Sequence, residues 1–360
     1  MGAGRFFLQP RTLAFRPEPS GTWAPIADPA RPALGSDKWS VSMAYQPGRL
    51  AQLLPGPLRG GLANAVQELA SDAGPKPLRI VYSSPGGWPA ATSGDSAHIA
   101  VLDASFNPPT KAHLALATLP RIEQPRKDYD AHLLIYSVRN ADKDPNRPGD
   151  AAPEQRLEMI VLLAQQMEED LRARYAEQGC EKAPSVAVGV CEEPLVFAKS
   201  TLVHRFLEQR QTLPGSPPTQ LYWVMGSDTI TRVLDPKYYG TEENMRRMAH
   251  QFFDVERTTM VCAERSDASV KGTAGDLDKP GDAAHRLVQE NALAASAAQA
   301  GRIELRELDA DAGRRSSTAV RKQLAASRAL PASERCEQLA EMVPSMLATY
   351  LVDYGPYDAS

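Results

Sequence analysis

From residue 98 onward two hydrophobic patterns alternate along the chain. Short, nearly unbroken apolar runs rich in β-branched and aromatic residues fall at His98–Asp103, Ala131–Tyr136, Ser185–Val190, Gln220–Met225 and Thr258–Ala263, with Arg302–Leu305 a weaker sixth. Between them lie stretches at helical spacing: Lys111–Leu119, Pro153–Tyr175, Lys199–Gln209 and Glu242–Phe253. Strands that lack a polar face must be covered on both sides. The alternation therefore predicts a doubly wound α/β domain, with a mainly parallel sheet of five to six strands and helices on both faces. Ligands of such sheets bind beyond the carboxyl ends of the strands, so the residues after each run are where chemistry is expected.

The flanks read differently. Residues 1–45 carry six prolines before residue 40 and no sustained period, which predicts disorder. Residues 46–97 form a preface: helical spacing from Arg49 to Leu69 broken by Pro55 and Pro57, a short strand at Leu78–Tyr82, and a Gly/Pro-rich loop at Pro85–Gly94. The main domain is expected over 98–354, with an Ala/Asp/Gly/Lys-rich insertion or flap near 265–301 containing a helical stretch at Ala283–Ala300, and a tail at 355–360.

Composition narrows the classes. Hydrophobic residues at 42% and charged residues at 23% suit a globular protein, and the longest apolar run, Met159–Ala164, is far too short to cross a bilayer. A net charge of −4 argues against a protein that coats nucleic acid or an anionic membrane. Four scattered cysteines without a CxxC pair, no Asn-x-Ser/Thr sequon and no apolar signal core point to a reducing compartment, cytoplasm or nucleus. Arg5, Arg11 and Arg16 ahead of the first acid, Glu18, are the alternative: a mitochondrial presequence, although Pro10 interrupts the helix one needs. Met43 is an alternative start. No heptad identifies an oligomer interface, so self-association stays open.

The turn after the first strand reads Asp103-Ala104-Ser105-Phe106-Asn107-Pro108-Pro109-Thr110-Lys111-Ala112-His113 and runs into a helix. Opening amides of a helix can hold an anion. Thr110 and His113 share a face, so an imidazole and a hydroxyl can both meet a phosphate there. Near the other end, Ser316-Ser317-Thr318 precedes an amphipathic helix whose Arg321 can swing back toward an anion at its start. Asp228, after the strand ending at Met225-Gly226, reads equally as a helix cap or as an acid facing a ligand.

SFNPPTKAH resembles the (His/Thr)-x-x-His signature of the nucleotidyltransferase α/β-phosphodiesterase superfamily, in the form carried by nicotinamide mononucleotide adenylyltransferases. Ala104 and Ala112 stand where that family has glycines. Residues 315–321 resemble its ISSTxxR motif, with Arg315 in the place of isoleucine. Val224–Asp228 is similar to its CGAD turn, and Asn140-Ala141-Asp142-Lys143 to the loop whose lysine meets substrate phosphate. With Arg156–Met159 and Lys237–Tyr239 in the same order, the likeness is nearest to a fungal branch and runs roughly from His98 to Tyr354.

The resemblance implies a Rossmann-like fold and transfer of AMP from ATP to nicotinamide or nicotinic acid mononucleotide, with Mg²⁺ held mainly through substrate phosphates. His113, Thr110 and Arg321 would carry catalysis. Ser105, Phe106, Lys111, Ser317, Thr318 and Arg321 would hold ATP, and Asn140, Lys143, Gly226, Asp228 and Phe197 the acceptor. Phe197, Tyr238 and Tyr239 are each as much core candidates as stacking candidates, since the family's Trp-Glu pair is missing and Glu193-Pro194 stands near its place. Two other readings stay open: a sister transferase with another phosphorylated acceptor, and a nucleotide-binding or ATP-hydrolysing protein that acts through a protein partner. No P-loop is present, which argues against γ-phosphoryl transfer.

Overall fold

The computed structural model describes residues 15–17, 23–25, 47–71, 76–90, 96–122, 128–139, 147–210, 218–265, 283–308 and 315–357. Most of the expected N-terminal disorder, the first part of the 265–301 insertion, and both Asn140 and Lys143 lie outside those residues.

A small antiparallel ribbon, β1 (Phe15–Pro17) with β2 (Trp23–Pro25), precedes helices α1 (Pro47–Leu53) and α2 (Gly56–Ala70) and strand β3 (Arg79–Ser83). The alternation follows: β4 (Ala97–Asp103), α3 (Lys111–Ala117), β5 (Ala131–Ser137), α4 (Pro153–Glu177), β6 (Val186–Cys191), α5 (Val196–Arg210), β7 (Thr219–Gly226) and α6 (Ser227–Val233). A 3₁₀ turn at Pro236–Tyr239 leads to α7 (Glu242–His250), a π turn (Gln251–Val255) and β8 (Thr259–Arg265). The chain then forms α8 (Ala283–Glu290), α9 (Ala292–Gln299), β9 (Ile303–Leu308), α10 (Ser317–Ala326), α11 (Ala332–Ala340) and α12 (Ser345–Asp353).

The main sheet has seven strands in the order β3-β6-β5-β4-β7-β8-β9. Six of them are parallel and match the six predicted runs. The seventh, β3, is the preface strand, which adds antiparallel to β6 with Arg79 opposite Val190. From the central β4 the chain winds outward through β5 and β6, then returns to β7 on the other side. The reversal at β4/β7 is where the first turns of both halves diverge and open a crevice at the strand ends.

Both faces are covered, and successive residues serve opposite layers. Ile99, Val101, Leu133 and Ile135 pack under α5–α9, while Leu102, Leu134, Tyr136, Val186 and Val188 pack under α1, α2, α4 and α10–α12. Helix α4 explains its own length: Pro153 starts it, Ala152 N donates to Gln155 Oε1 at 3.0 Å, and the run Met159–Ala164 is buried on every side. Leu50, Leu62 and Leu69 of the preface lie in that same core, and Arg59 Nε donates to Glu158 Oε1 of α4 at 2.6 Å. The helical stretch expected at Ala283–Ala300 is two helices, because Asn291 accepts from Leu293 N and Ala294 N and caps a new one. No helix among the described residues is long and apolar enough to cross a membrane.

Candidate active site

A cavity of about 300 Å³ opens at the carboxyl ends of β4 and β7. Leu102 and Asp103 from β4, Ser105 from the following turn, His113 from α3, and Met225, Gly226 and Asp228 across the reversal line it. Gly226 is the residue before α6, and a Cβ there would lie 3.0 Å from Asp228 Oδ1.

His113 is fixed by its own helix start. Thr110 N donates to His113 Nδ1 at 3.0 Å, and Thr110 Oγ1 lies 2.9 Å from the same nitrogen. A nitrogen that accepts an amide hydrogen carries no proton, so in the neutral ring the proton sits on Nε2. The ring also packs against Phe106, with centroids 5.2 Å apart. Phe106 is fully buried and has a φ of 45°, a left-handed conformation that costs a bulky residue about 1 kcal/mol or more.

Other parts of the chain brace the turn through its backbone. Ser317 Oγ donates to Pro108 O at 2.7 Å, and Arg321 Nη1 donates to Asn107 O. Arg156 Nη1 donates to Ser105 O at 3.5 Å. The Asn107 side-chain oxygen accepts from Ala151 N at 3.2 Å and from Tyr357 Oη at 2.8 Å. Residues separated by as many as 250 positions thus meet on three residues of the turn.

Below His113 lies a buried ion pair. Lys199 Nζ, from the first turn of α5, donates to Asp103 Oδ2 at 2.5 Å, and both side chains line the cavity. The mouth carries Arg139, which reaches Glu192 at 3.4 Å, and Arg232, which holds Asp228 at 3.0 Å.

No family model matches the chain. A protein of Schizosaccharomyces pombe, provisionally named a nicotinamide mononucleotide adenylyltransferase, is 32% identical over 179 residues, 49% of this chain. The chain is similar to that protein over about half of its length. The match spans 56% of the S. pombe protein's length, little more than half. Solved structures of Plasmodium falciparum nicotinic acid mononucleotide adenylyltransferase, complexed with APC and with NaAD, are 12% identical, cover 73% of this chain and 98% of their own, and superpose with TM-scores of 0.40 and 0.43. Likeness at that level says nothing about substrate.

The predicted residues divide. Ser105, His113, Gly226 and Asp228 converge on the cavity. Thr110 does not line it: the residue is buried and its hydroxyl lies against His113. The opening amides of α3 are not all turned outward either, since Lys111 N donates to Met342 O at 2.9 Å. Phe106 presents no side chain to the cavity. Lys111 is half-buried beside Arg315, and burial first, then that charge, pushes its pKa below the ordinary lysine value.

Ser317 and Arg321 reach the turn's carbonyls instead of the cavity wall, and Ser316 rather than its neighbours caps α10 by accepting from Ala319 N. Thr318 is exposed at that helix start. Phe197 is core: it is 2% exposed and packs against Tyr239, Phe252 and Phe253 with centroids 5.1–6.1 Å apart. Two tyrosines stand on the cavity wall, Tyr239, which is buried, and Tyr238, which is half-buried. Asp103 and Lys199 were missed because neither belongs to a motif. The only signal was a charged residue at the end of an apolar strand and another in the first turn of an apolar helix face.

Proposed function

We propose that the chain is a nucleotidyltransferase that moves AMP from ATP to nicotinamide mononucleotide or nicotinic acid mononucleotide, releasing pyrophosphate. The observation that carries this reading is His113, locked by Thr110 into the Nε2–H form on the wall of the crevice where the sheet reverses. The provisional name of the S. pombe relative supports it.

In the reaction, an acceptor phosphate oxygen forms a bond to the α-phosphorus of ATP. The bond from that phosphorus to the bridging oxygen of the β-phosphate breaks, and its electron pair leaves with pyrophosphate. The nucleophile is already anionic, so no general base is required. Catalysis is alignment and stabilisation of charge in the transition state. His113 Nε2–H is a donor for an α-phosphate oxygen, and the half-buried wall strengthens that bond as charge accumulates. Arg139 and Arg232 at the mouth supply positive charge for the outer phosphates or the acceptor phosphate.

Mg²⁺ enters as part of MgATP. Among the described residues no three His, Cys, Asp or Glu side chains cluster, and the two cavity carboxylates are engaged, Asp103 by Lys199 and Asp228 by Arg232. Such a wall fits a metal held by phosphate oxygens and water.

A second reading, ATP binding or hydrolysis on behalf of a protein partner, is favoured by one observation: Phe197 lies in the core, which leaves Tyr238 as the aromatic for an acceptor ring. Product analysis by mass spectrometry separates the two. Protein is incubated with MgATP and either mononucleotide, with His113→Ala alongside. Dinucleotide from the unmodified protein only supports adenylyl transfer, whereas ADP or AMP from ATP alone supports the second reading.

A further inference from the structure

The ion pair in the cavity is asymmetric. Both side chains line the cavity, but Lys199 is 5% exposed and Asp103 14%, so the carboxylate keeps the larger share of the accessible surface. Lys199 takes Oδ2, while Asp103 Oδ1 accepts no hydrogen bond among the described residues. The pair is neutral as a whole, yet a ligand entering the cavity meets an acceptor-only oxygen.

The neighbouring wall is apolar. Pro194, Leu195 and Val196 lead into α5, Lys199 N donates to Leu195 O at 2.9 Å, and Tyr238 stands on the same cavity. A flat ring resting on that wall places its substituent within reach of Asp103. A carboxamide there donates N–H to the free oxygen. A carboxylate in the same place sets oxygen against oxygen, and the ammonium that would welcome it is buried and taken.

We infer that Asp103, held in place by Lys199, is a specificity-determining residue that selects an acceptor ring bearing a carboxamide over one bearing a carboxylate. This rests on the adenylyl-transfer reading, whose two acceptors differ in that group alone.

The test is competition between nicotinamide mononucleotide and nicotinic acid mononucleotide in one MgATP reaction, with both dinucleotides quantified by mass spectrometry. A hydrogen bond to a charged acceptor, gained by one ligand and replaced by repulsion in the other, predicts a ratio of kcat/KM values favouring the amide by about tenfold to a hundredfold. Asp103→Asn can donate as well as accept, so the ratio should fall to about threefold or less. An equal loss with both acceptors, or an unmodified protein that prefers the acid or shows no preference, overturns the inference.

If the unmodified protein forms neither dinucleotide, adenylyl transfer fails. Calorimetric binding of the two mononucleotides then tests Asp103 separately. Tighter binding of the amide, lost in Asp103→Asn, upholds its role, and equal or undetectable binding rejects it. If Asp103→Asn melts before it can be assayed, the preference of the unmodified protein decides by itself.

Discussion

Removing the Lys199 ammonium should be among the most damaging single changes at the cavity. Lys199 Nζ and Asp103 Oδ2 lie 2.5 Å apart, and both side chains are largely withdrawn from water. At an effective dielectric of about 20, two unit charges at that separation attract by roughly 6–7 kcal/mol, against which desolvation of the ammonium takes back several. Lys199→Met deletes the attraction and leaves the carboxylate unpaired at the end of β4, a loss of about 3–5 kcal/mol. Asp103→Leu should cost a similar amount for the mirror reason. The double variant places two apolar side chains of comparable volume where the pair was, and should return to within about 1 kcal/mol of the original protein. Urea unfolding followed by tryptophan fluorescence gives all four corners of the cycle, because Trp223 is fully buried in β7 beside β4. A Lys199→Met cost below about 1 kcal/mol, with the double variant simply additive, would refute the account of a coupled buried pair.

Further expectations concern chemistry and pH. His113→Ala should lower kcat for dinucleotide formation by about a hundredfold or more while ATP affinity changes by less than about threefold; equal losses in both would make the ring a binding element. Arg321→Ala removes the guanidinium from Asn107 O and should weaken ATP binding by slackening the turn, so unchanged affinity in calorimetry would separate α10 from the site. His132 is fully buried and its pKa is pushed down to about 4 by loss of solvent. With an unfolded value near 6.5, the unfolded chain takes up the proton first as pH falls. Stability from this residue is therefore complete above pH 6.5 and declines toward pH 4 by about 3 kcal/mol in total. The difference in urea stability between the original protein and His132→Phe should trace that decline, and a flat difference curve would contradict it.

The sheet was legible because buried parallel strands announce themselves: six apolar runs became six strands, five of them within a residue or two of their expected ends and the weaker sixth running three residues further, to Leu308. Local pattern could not say that Arg79–Ser83 adds to the sheet, since its partner β6 lies about a hundred residues away. Nor does an Ala-rich stretch declare its own interruption, which at Asn291 depends on one side chain turning back to two amides. At the site, His113 and Asp228 were readable as residue types at loop positions. The inward-facing details were not. Thr110 spends its hydroxyl on a neighbour, Phe197 fills a cluster assembled from the 3₁₀ and π turns, and Lys199 finds Asp103 across 96 residues. Each is decided by packing between distant segments, which periodicity does not encode.

The braces on the Ser105–Pro108 turn also set an order of events in the making of the protein. All seven strands of the sheet are complete once Leu308 has been synthesised. Asn107 already has Ala151 by then, but its remaining partners and that of Pro108 come later, from Ser317, Arg321 and finally Tyr357. A chain interrupted after β9 would have all seven strands but neither the helices α10–α12 that help cover one face of the sheet nor the late clasps on the turn beside His113. The same closing segment thus finishes the core and the site together, and damage to it would be felt at both.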